Sequence, residues 1–165
     1  MGLNTGDCVV GNLGSDLRFD YSCLGDTVNT ASRLEGQSKT YGVDLVVAED
    51  TVDLAPGFAY LELDLVRVKG KTQAVKIFTV LGGPELAHTP EYATLHQSHD
   101  AMLGAYRVQR WDEARALADN GPIVELGDNP GGLRGIYDEY AARIRELRAA
   151  PPPADWDGVY EAKSK

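Results

Sequence analysis

A change in composition at Gly82-Gly83-Pro84 divides the chain into two parts and limits the folds open to it. Residues 1–83 hold 11 of the 18 glycines among short runs rich in β-forming residues, whereas residues 84–165 hold 7 of the 8 prolines and long helical patterns. Both parts are acidic, with net charges of 7 − 11 = −4 and 9 − 14 = −5, so neither is merely an acidic tail. We therefore predict two units, 1–83 and 84–165.

Charge and composition exclude several classes of protein. A net charge of −9 lacks the basic footprint that nucleic acids and anionic membranes require, and 43% hydrophobic residues exclude a disordered chain. The longest apolar stretches are four or five residues and the first ten residues are no signal peptide, so this segment should make no membrane contact. Cys8 and Cys23 form no disulfide framework or zinc pattern, which favours a cytoplasmic location. Cys23 is interpreted as a small hydrophobic residue of the core.

The first unit reads as short strands and helices in alternation. The opening residues look like the interior of a strand, so we expect the chain to begin inside a domain that has lost part of its sheet. Turn residues and periodicity predict the order strand-strand-helix-strand-helix-strand-strand. The ranges are 7–11, 18–24, Asp26 to the stop at Gly42, 44–48, 49–55, 58–68 and 74–81. This order predicts an α+β or α/β fold with helices covering a sheet.

The second unit reads as helical and ends in a proline-rich polar tail. Helical periodicity predicts helices over 89–110, 111–119 and 133–149, with a loop over 121–132. Trp111 and Trp156 are interpreted as packing anchors, because aromatic side chains bury large areas. His88, His96 and His99 lack the further ligands of a metal site and are interpreted as surface residues.

The residues Asn29 and Arg33 are the first candidates for chemistry. They lie four positions apart at the start of the predicted helix after Gly25-Asp26, so they project from one face. A guanidinium near the positive end of the helix dipole can bind a phosphate through two hydrogen bonds. An Asn-x-x-x-Arg pair alone is also compatible with an ordinary solvated helix face.

Four motifs in fixed order and spacing over residues 2–81 give this pair its context. They are Gly2-Leu3-Asn4-Thr5-Gly6, Gly25-Asp26-Thr27-Val28-Asn29, Ala31-Ser32-Arg33-Leu34-Glu35 and Val68-Lys69-Gly70-Lys71. Together they resemble the C-terminal half of the catalytic domain of class III nucleotidyl cyclases, the adenylate and guanylate cyclases, most closely those of bacterial receptor type. The fold that this resemblance implies is a partial ferredoxin-like α+β sandwich followed by a C-terminal helical extension.

The resemblance implies roles for five residues. Asn29 and Arg33 would stabilise the transition state as the ribose 3′-oxygen attacks the α-phosphate. Ser22, seven residues before the Asn, falls at the base-selecting position, where its hydroxyl could bond adenine, although guanine stays open. Lys71, with Lys69 as the alternate, would reach the triphosphate tail, unless these lysines merely decorate a solvated hairpin.

The resemblance also implies a partner and a metal. The family converts ATP to cyclic AMP and pyrophosphate with Mg²⁺ (or Mn²⁺), in a head-to-tail dimer whose sites combine two cyclase chains. Its two metal-binding aspartates precede the first motif, so we expect no metal ligands in this chain and no activity from the chain alone. The full protein would be a signalling enzyme with its catalytic part in the cytoplasm, anchored through an upstream membrane receptor segment. The alternative is a non-catalytic regulatory or interaction module built on a cyclase remnant.

Overall fold

The structure, a computed structural model, describes residues 1–12, 21–67, 74–120 and 133–161. These residues form a chain of alternating strands and helices followed by a helical part. In chain order the elements are β1 (Gly2–Leu3), β2 (Val9–Asn12), β3 (Tyr21–Leu24), α1 (Asp26–Tyr41), β4 (Val46–Ala48), α2 (Glu49–Leu54), β5 (Ala59–Arg67), β6 (Val75–Gly82), α3 (Pro84–Ala87), α4 (Pro90–Arg107), α5 (Trp111–Asp119), α6 (Arg134–Ala149) and β7 (Tyr160–Glu161).

The strands form one mixed sheet and one separate hairpin. The five-stranded sheet has the order β1-β4-β6-β5-β7, and its central pairings, β4 with β6 and β6 with β5, are antiparallel. The two outer strands pair in parallel, β1 with β4 and β7 with β5. Strands β2 and β3 form an antiparallel ribbon of their own. The mixed sheet with its helices confirms the predicted α+β class.

One hydrophobic core joins the sheet to the helical part. Buried residues of α1, β4, β5 and β6 belong to the same cluster as buried residues of α4, α5 and α6. Leu34 and Leu61 from the first unit and Leu103 and Ile144 from the second are at most 2% exposed. The boundary at 82–84 stays a prediction, and side chains from both sides of it pack together.

Side chains of the helical part also hydrogen-bond to the backbone of β5. Tyr92 donates its hydroxyl to the carbonyl of Tyr60 (2.6 Å), and Tyr140 donates to that of Leu63 (2.8 Å). His99 Nε2 lies 2.6 Å from the carbonyl oxygen of Glu62. These contacts hold α4 and α6 against β5, and the C-terminal end of β5 pairs with β7.

Aromatic side chains hold the C-terminal segment in place. The ring of Tyr106 lies edge-on to both Trp111 and Trp156, with centroids 5.7 and 5.4 Å apart. The prediction that both tryptophans act as packing anchors is confirmed, since each packs against the hydrophobic core.

Residues 84–87 and 160–161 form elements that the sequence patterns did not predict. Among the described residues, no helix combines the length and apolar character needed to cross a membrane.

Candidate functional site

Helix α1 carries Asn29 and Arg33 on an exposed face. The helix runs from Asp26 to Tyr41, with Gly25 before its first residue and Gly42, whose φ of 66° is left-handed, after its last. Both candidate side chains are exposed, and neither bonds to the part of the chain that the structure describes. Four residues separate them, so both project outward within the first two turns of the helix.

The first turn of α1 makes hydrogen bonds within itself and one to the residue after β1. The amide of Asn29 donates to the carbonyl of Gly25 (3.2 Å), which makes it part of the first helical turn. Asn4, just after β1, donates its side-chain amide to the carbonyl of Thr27 (3.2 Å). Thr30, on the buried side, donates its hydroxyl to the carbonyl of Asp26 (2.9 Å). These hydrogen bonds order the first turn of α1, which carries Asn29.

Ser22 lies on the ribbon that leads into α1. It is exposed in β3 and pairs with Gly11 of β2, which has no side chain to cover it. Strand alternation places Leu24 on the same ribbon face as Ser22, with Val9 opposite Leu24. Leu24 is 57% and Val9 71% exposed, so the hydroxyl stands beside an open apolar surface.

The two candidate lysines, Lys69 and Lys71, lie outside the described residues, so their placement stays a prediction. Arg67 and Lys76, the described cations on either side of these lysines in the sequence, both pair with carboxylates. Arg67 contacts Asp157 (3.0 Å) and Glu161 (3.2 Å) at the C-terminal end. Lys76 lies 3.4 Å from Glu49. Arg67 and Lys76 thus already have acidic partners.

The fit of a divalent metal can be tested on the side chains that could bind it. Within residues 1–12, 21–67, 74–120 and 133–161, no group of three or more His, Cys, Asp or Glu residues could hold a metal ion. Enzymes usually bind Mg²⁺ through one or two carboxylates together with waters and substrate phosphates. The described residues therefore offer no many-ligand site of their own for the metal that the family resemblance implies.

Two expectations about individual side chains are wrong. Cys23, expected in the core, is exposed on β3, because the ribbon has no covering layer within the described residues. His99, expected on the surface, is fully buried between α4, α6 and β5. Burial lowers the pKa of His99 to about 4, so its ring is neutral at physiological pH. Since a carbonyl only accepts, Nε2 carries the proton and donates to Glu62.

A buried polar cluster at the other end of α1 was not predicted from the sequence. Tyr41 donates its hydroxyl to Asp64 Oδ2 (2.7 Å) and accepts from Arg143 Nη2 (3.0 Å), and Arg143 also pairs with Asp64 directly. Burial, reinforced by the Asp64 carboxylate, raises the pKa of the Tyr41 phenol. Burial would lower the pKa of Arg143, but Tyr41 and Asp64 outweigh it and raise it. The one available signal was an aspartate inside an apolar strand.

The comparisons with known proteins agree on one family. The family model "Adenylate and Guanylate cyclase catalytic domain" matches residues 1–82. Adenylate cyclase 1 of Rhizobium meliloti (strain 1021) is 36% identical over 94 residues, 56% of this chain and 14% of that protein. The adenylate cyclase of Anabaena cylindrica is 37% identical over 84 residues, 48% of this chain and 17% of that protein.

Among solved structures, the crystal structure of the adenylyl cyclase CyaB from P. aeruginosa is 35% identical and covers 48% of this chain and 40% of that chain, with a TM-score of 0.42. The matched part makes up less than a fifth of the length of the two curated relatives named here. Through residues 1–82, the chain belongs to the adenylate and guanylate cyclase catalytic domain family.

Proposed function

We propose that residues 1–82 supply the transition-state half of an adenylate cyclase active site, which converts ATP to cyclic AMP and pyrophosphate. The observation that carries this proposal is the pair Asn29 and Arg33, both exposed and free of partners among the described residues on one face of α1. Surface arginines in an acidic chain commonly pair with carboxylates, as Arg67 and Arg115 do here. An unpaired Arg beside an unpaired Asn is available to a ligand.

The chemistry requires such donors. As the 3′-oxygen bonds to the α-phosphorus and the bond to the pyrophosphate oxygen breaks, negative charge gathers on the non-bridging oxygens. A guanidinium can donate two hydrogen bonds to those oxygens, and the N-terminal end of a helix adds positive potential. Donors that are positioned before the reaction lower its barrier, since they need no reorganisation. We assign this role to Arg33 and Asn29.

Ser22 is proposed to contact the base. Its hydroxyl both donates and accepts, so it can bond the amino group of adenine. The exposed Leu24 and Val9 on the same ribbon face offer apolar contact to a flat ring. Lys71, or Lys69 in its place, is proposed to bind the triphosphate tail.

The active site is proposed to need a second cyclase chain. Because the described residues hold no group of three or more metal-binding side chains, we propose that the metal-binding aspartates come from another part of the complete site. The exposed apolar ribbon is a surface such a chain could cover. We place the reaction in the cytoplasm of a bacterium, as part of a signalling enzyme, in keeping with two free cysteines.

The test joins the chain behind the segment of Rhizobium meliloti adenylate cyclase 1 that precedes the matched region. We expect this joined protein to form cyclic AMP, and residues 1–165 alone to form none with Mg²⁺ or Mn²⁺. In the joined protein, Arg33→Ala should lower kcat by roughly 10²–10³ with little change in KM, because a contact made in the transition state is lost. Lys39→Ala is the control, since Lys39 is an exposed cation on the last turn of the same helix.

The outcomes separate the proposal from its rival. A change confined to KM would mean that Arg33 binds substrate without favouring the transition state. Equal effects of Arg33→Ala and Lys39→Ala would assign the result to surface charge. A folded joined protein without activity would favour the non-catalytic interaction module, and activity of residues 1–165 alone would contradict the need for a second half.

A further inference from the structure

The C-terminal end of α1 is bound by two elements from distant parts of the chain. Tyr41, the last residue of the helix, is fully buried, with its hydroxyl bonded to Asp64 of β5 and Arg143 of α6. The Arg143 guanidinium also lies over the rings of Tyr41 (5.4 Å) and Tyr160 (3.5 Å), measured to the ring centroids. Side chains separated by 102 residues thus hold the C-terminal end of α1 in its position within the fold.

The backbones of α1 and α6 meet at the same place. A side chain at Gly135 would put its Cβ 2.7 Å from the carbonyl oxygen of Tyr41 and 3.2 Å from the Cα of Gly42. Glycine at this position allows the first turn of α6 to approach the last turn of α1 directly. The hydrogen bonds and the backbone contact together specify the location of this helix end.

We infer that Tyr41 and Arg143 are positioning residues, which hold Asn29 and Arg33 in place by fixing the direction of α1. This inference rests on the catalytic role proposed above for Asn29 and Arg33. It makes the helical part of the chain a component of the cyclase site rather than a detachable module.

The geometry of a rigid helix sets the size of the effect. Leu34 is fully buried in the core, and we take it as the point about which a rigid α1 would tilt. At 1.5 Å per residue, Tyr41 lies about 10 Å beyond this pivot and Asn29 about 8 Å before it. A displacement of about 1 Å at Tyr41 therefore moves Asn29 by about 0.7 Å in the opposite direction. Reacting groups must be held within about 0.5 Å of their productive geometry, so such a shift lowers the rate.

If Tyr41 only stabilised the fold, its loss should affect kcat no more than the loss of another buried hydroxyl. Many buried contacts of α6 stabilise the fold without reaching α1, and one of them provides a matched control. Tyr140 is as buried as Tyr41, and its hydroxyl also makes a buried hydrogen bond, but to the carbonyl of Leu63 on β5. Both rings lie beneath the Arg143 guanidinium, at 5.4 Å for Tyr41 and 5.5 Å for Tyr140, whereas only Tyr41 belongs to α1.

The experiment compares Tyr41→Phe with Tyr140→Phe in the joined protein, well below the unfolding temperature. Tyr140→Phe removes one buried hydrogen bond and should lower Tm by about 2–5 °C, whereas Tyr41→Phe removes two and should lower Tm by roughly twice as much. We expect Tyr41→Phe to lower kcat by about 3- to 10-fold with KM unchanged, and Tyr140→Phe to leave kcat within about 1.5-fold. In residues 1–165 alone, Tyr41→Phe should speed amide hydrogen exchange in the last two turns of α1, and Tyr140→Phe should not.

Three results would overturn the inference. These are equal kcat for the two variants, losses of kcat that follow the losses in Tm, or unchanged exchange in α1 of Tyr41→Phe. The outcomes remain distinct from a failure of the proposed function. If Arg33→Ala retains full activity, the catalytic assignment fails, and the exchange data still report whether Tyr41 holds the helix. If Arg33→Ala is impaired and Tyr41→Phe is not, only the positioning role fails.

Discussion

The two ends of α1 meet opposite surroundings. At the N-terminal end, Asn29 and Arg33 are exposed and the adjoining ribbon leaves Val9 71% and Tyr21 79% exposed. At the C-terminal end, Tyr41 is fully buried. Across the described residues, every buried side-chain nitrogen or oxygen has a hydrogen-bond partner.

This contrast shows how one helix can serve packing and chemistry at once. Rigid elements hold functional groups more accurately than loops do, but a functional group must stay accessible to its ligand. Burying one end of α1 fixes the helix, and the other end can then present polar side chains without covering them. The predictions below test each side of the contrast, beginning with the buried end.

The largest effect is expected from Arg143→Met. The change leaves the Asp64 carboxylate buried without its charged partner, which should lower the free energy of unfolding by about 3–5 kcal/mol. Chemical denaturation of residues 1–165 measures this loss. The double variant Arg143→Met/Asp64→Leu should regain only part of it, because Asp64 and Arg143 are no longer buried charges but the buried Tyr41 hydroxyl has lost both of its partners.

The control for that prediction is an exposed ion pair. Arg115 pairs with Asp119 one turn along α5 at 2.8 Å, and both side chains are solvent-accessible. Arg115→Met should leave the free energy of unfolding nearly unchanged, because an exposed ion pair gains little in water. A loss for Arg143→Met no larger than that for Arg115→Met would show that the buried cluster is not what anchors α1.

A second effect at the buried side depends on pH. The pKa of His99 falls from about 6.5 in an unfolded chain to about 4 in the fold. Above pH 6.5 the ring is neutral in both states. Between pH 6.5 and 4 the unfolded chain binds a proton that the folded chain excludes, so stability is lost by up to about 1.4 kcal/mol per pH unit, or about 3 kcal/mol in all.

Replacing the ring isolates this effect. His99→Gln keeps a donor for the Glu62 carbonyl and removes the titrating group. The difference in unfolding free energy between wild type and variant, measured from pH 7 to pH 4, should shrink or reverse as the pH falls. A difference that stays constant over this range would mean that His99 is protonated as easily in the fold as outside it.

The smallest effect is expected at the open end. Exposed apolar side chains on both faces of the ribbon favour association, each contributing about 1–2 kcal/mol when covered. Light scattering of residues 1–165 at micromolar concentration should give a mass above 17.8 kDa. Val9→Thr/Tyr21→Thr should shift it toward the monomer.

Val108→Thr is the matched control for the ribbon variant. Val108 is 61% exposed, but it lies after α4 and away from the ribbon. Equal masses for the wild type and the ribbon variant would place association elsewhere. A monomeric wild type would show that the ribbon stays open in solution.

Local signals predicted much of this molecule. Helix α1 spans Asp26–Tyr41 and ends at Gly42 as expected, because the turn before it and the left-handed glycine after it are encoded nearby. The shared face of Asn29 and Arg33 follows from their spacing alone. Their chemical roles, with those of Ser22, Lys69 and Lys71, remain predictions.

Features that depend on distant contacts escaped prediction. Strict alternation along β5 would place the side chains of Asp64 and Leu63 on opposite faces of the sheet, so that only one of them would be buried. Both are buried, because the pairing with β6 shifts between Glu62 and Asp64. The partner of Asp64, Arg143, comes 79 residues later. The burial of His99 was missed for the same reason, since the carbonyl that accepts its hydrogen bond lies 37 residues earlier on β5.

The parallel pairing of β7 with β5 sets an order of events during synthesis. Val66 pairs with Tyr160, 94 residues further along the chain. At about 5–20 residues per second, the ribosome needs roughly 5–20 s to add those residues, and β5 must wait that long for its last neighbour. During this interval the nascent chain presents an open strand edge, a template for pairing with other chains.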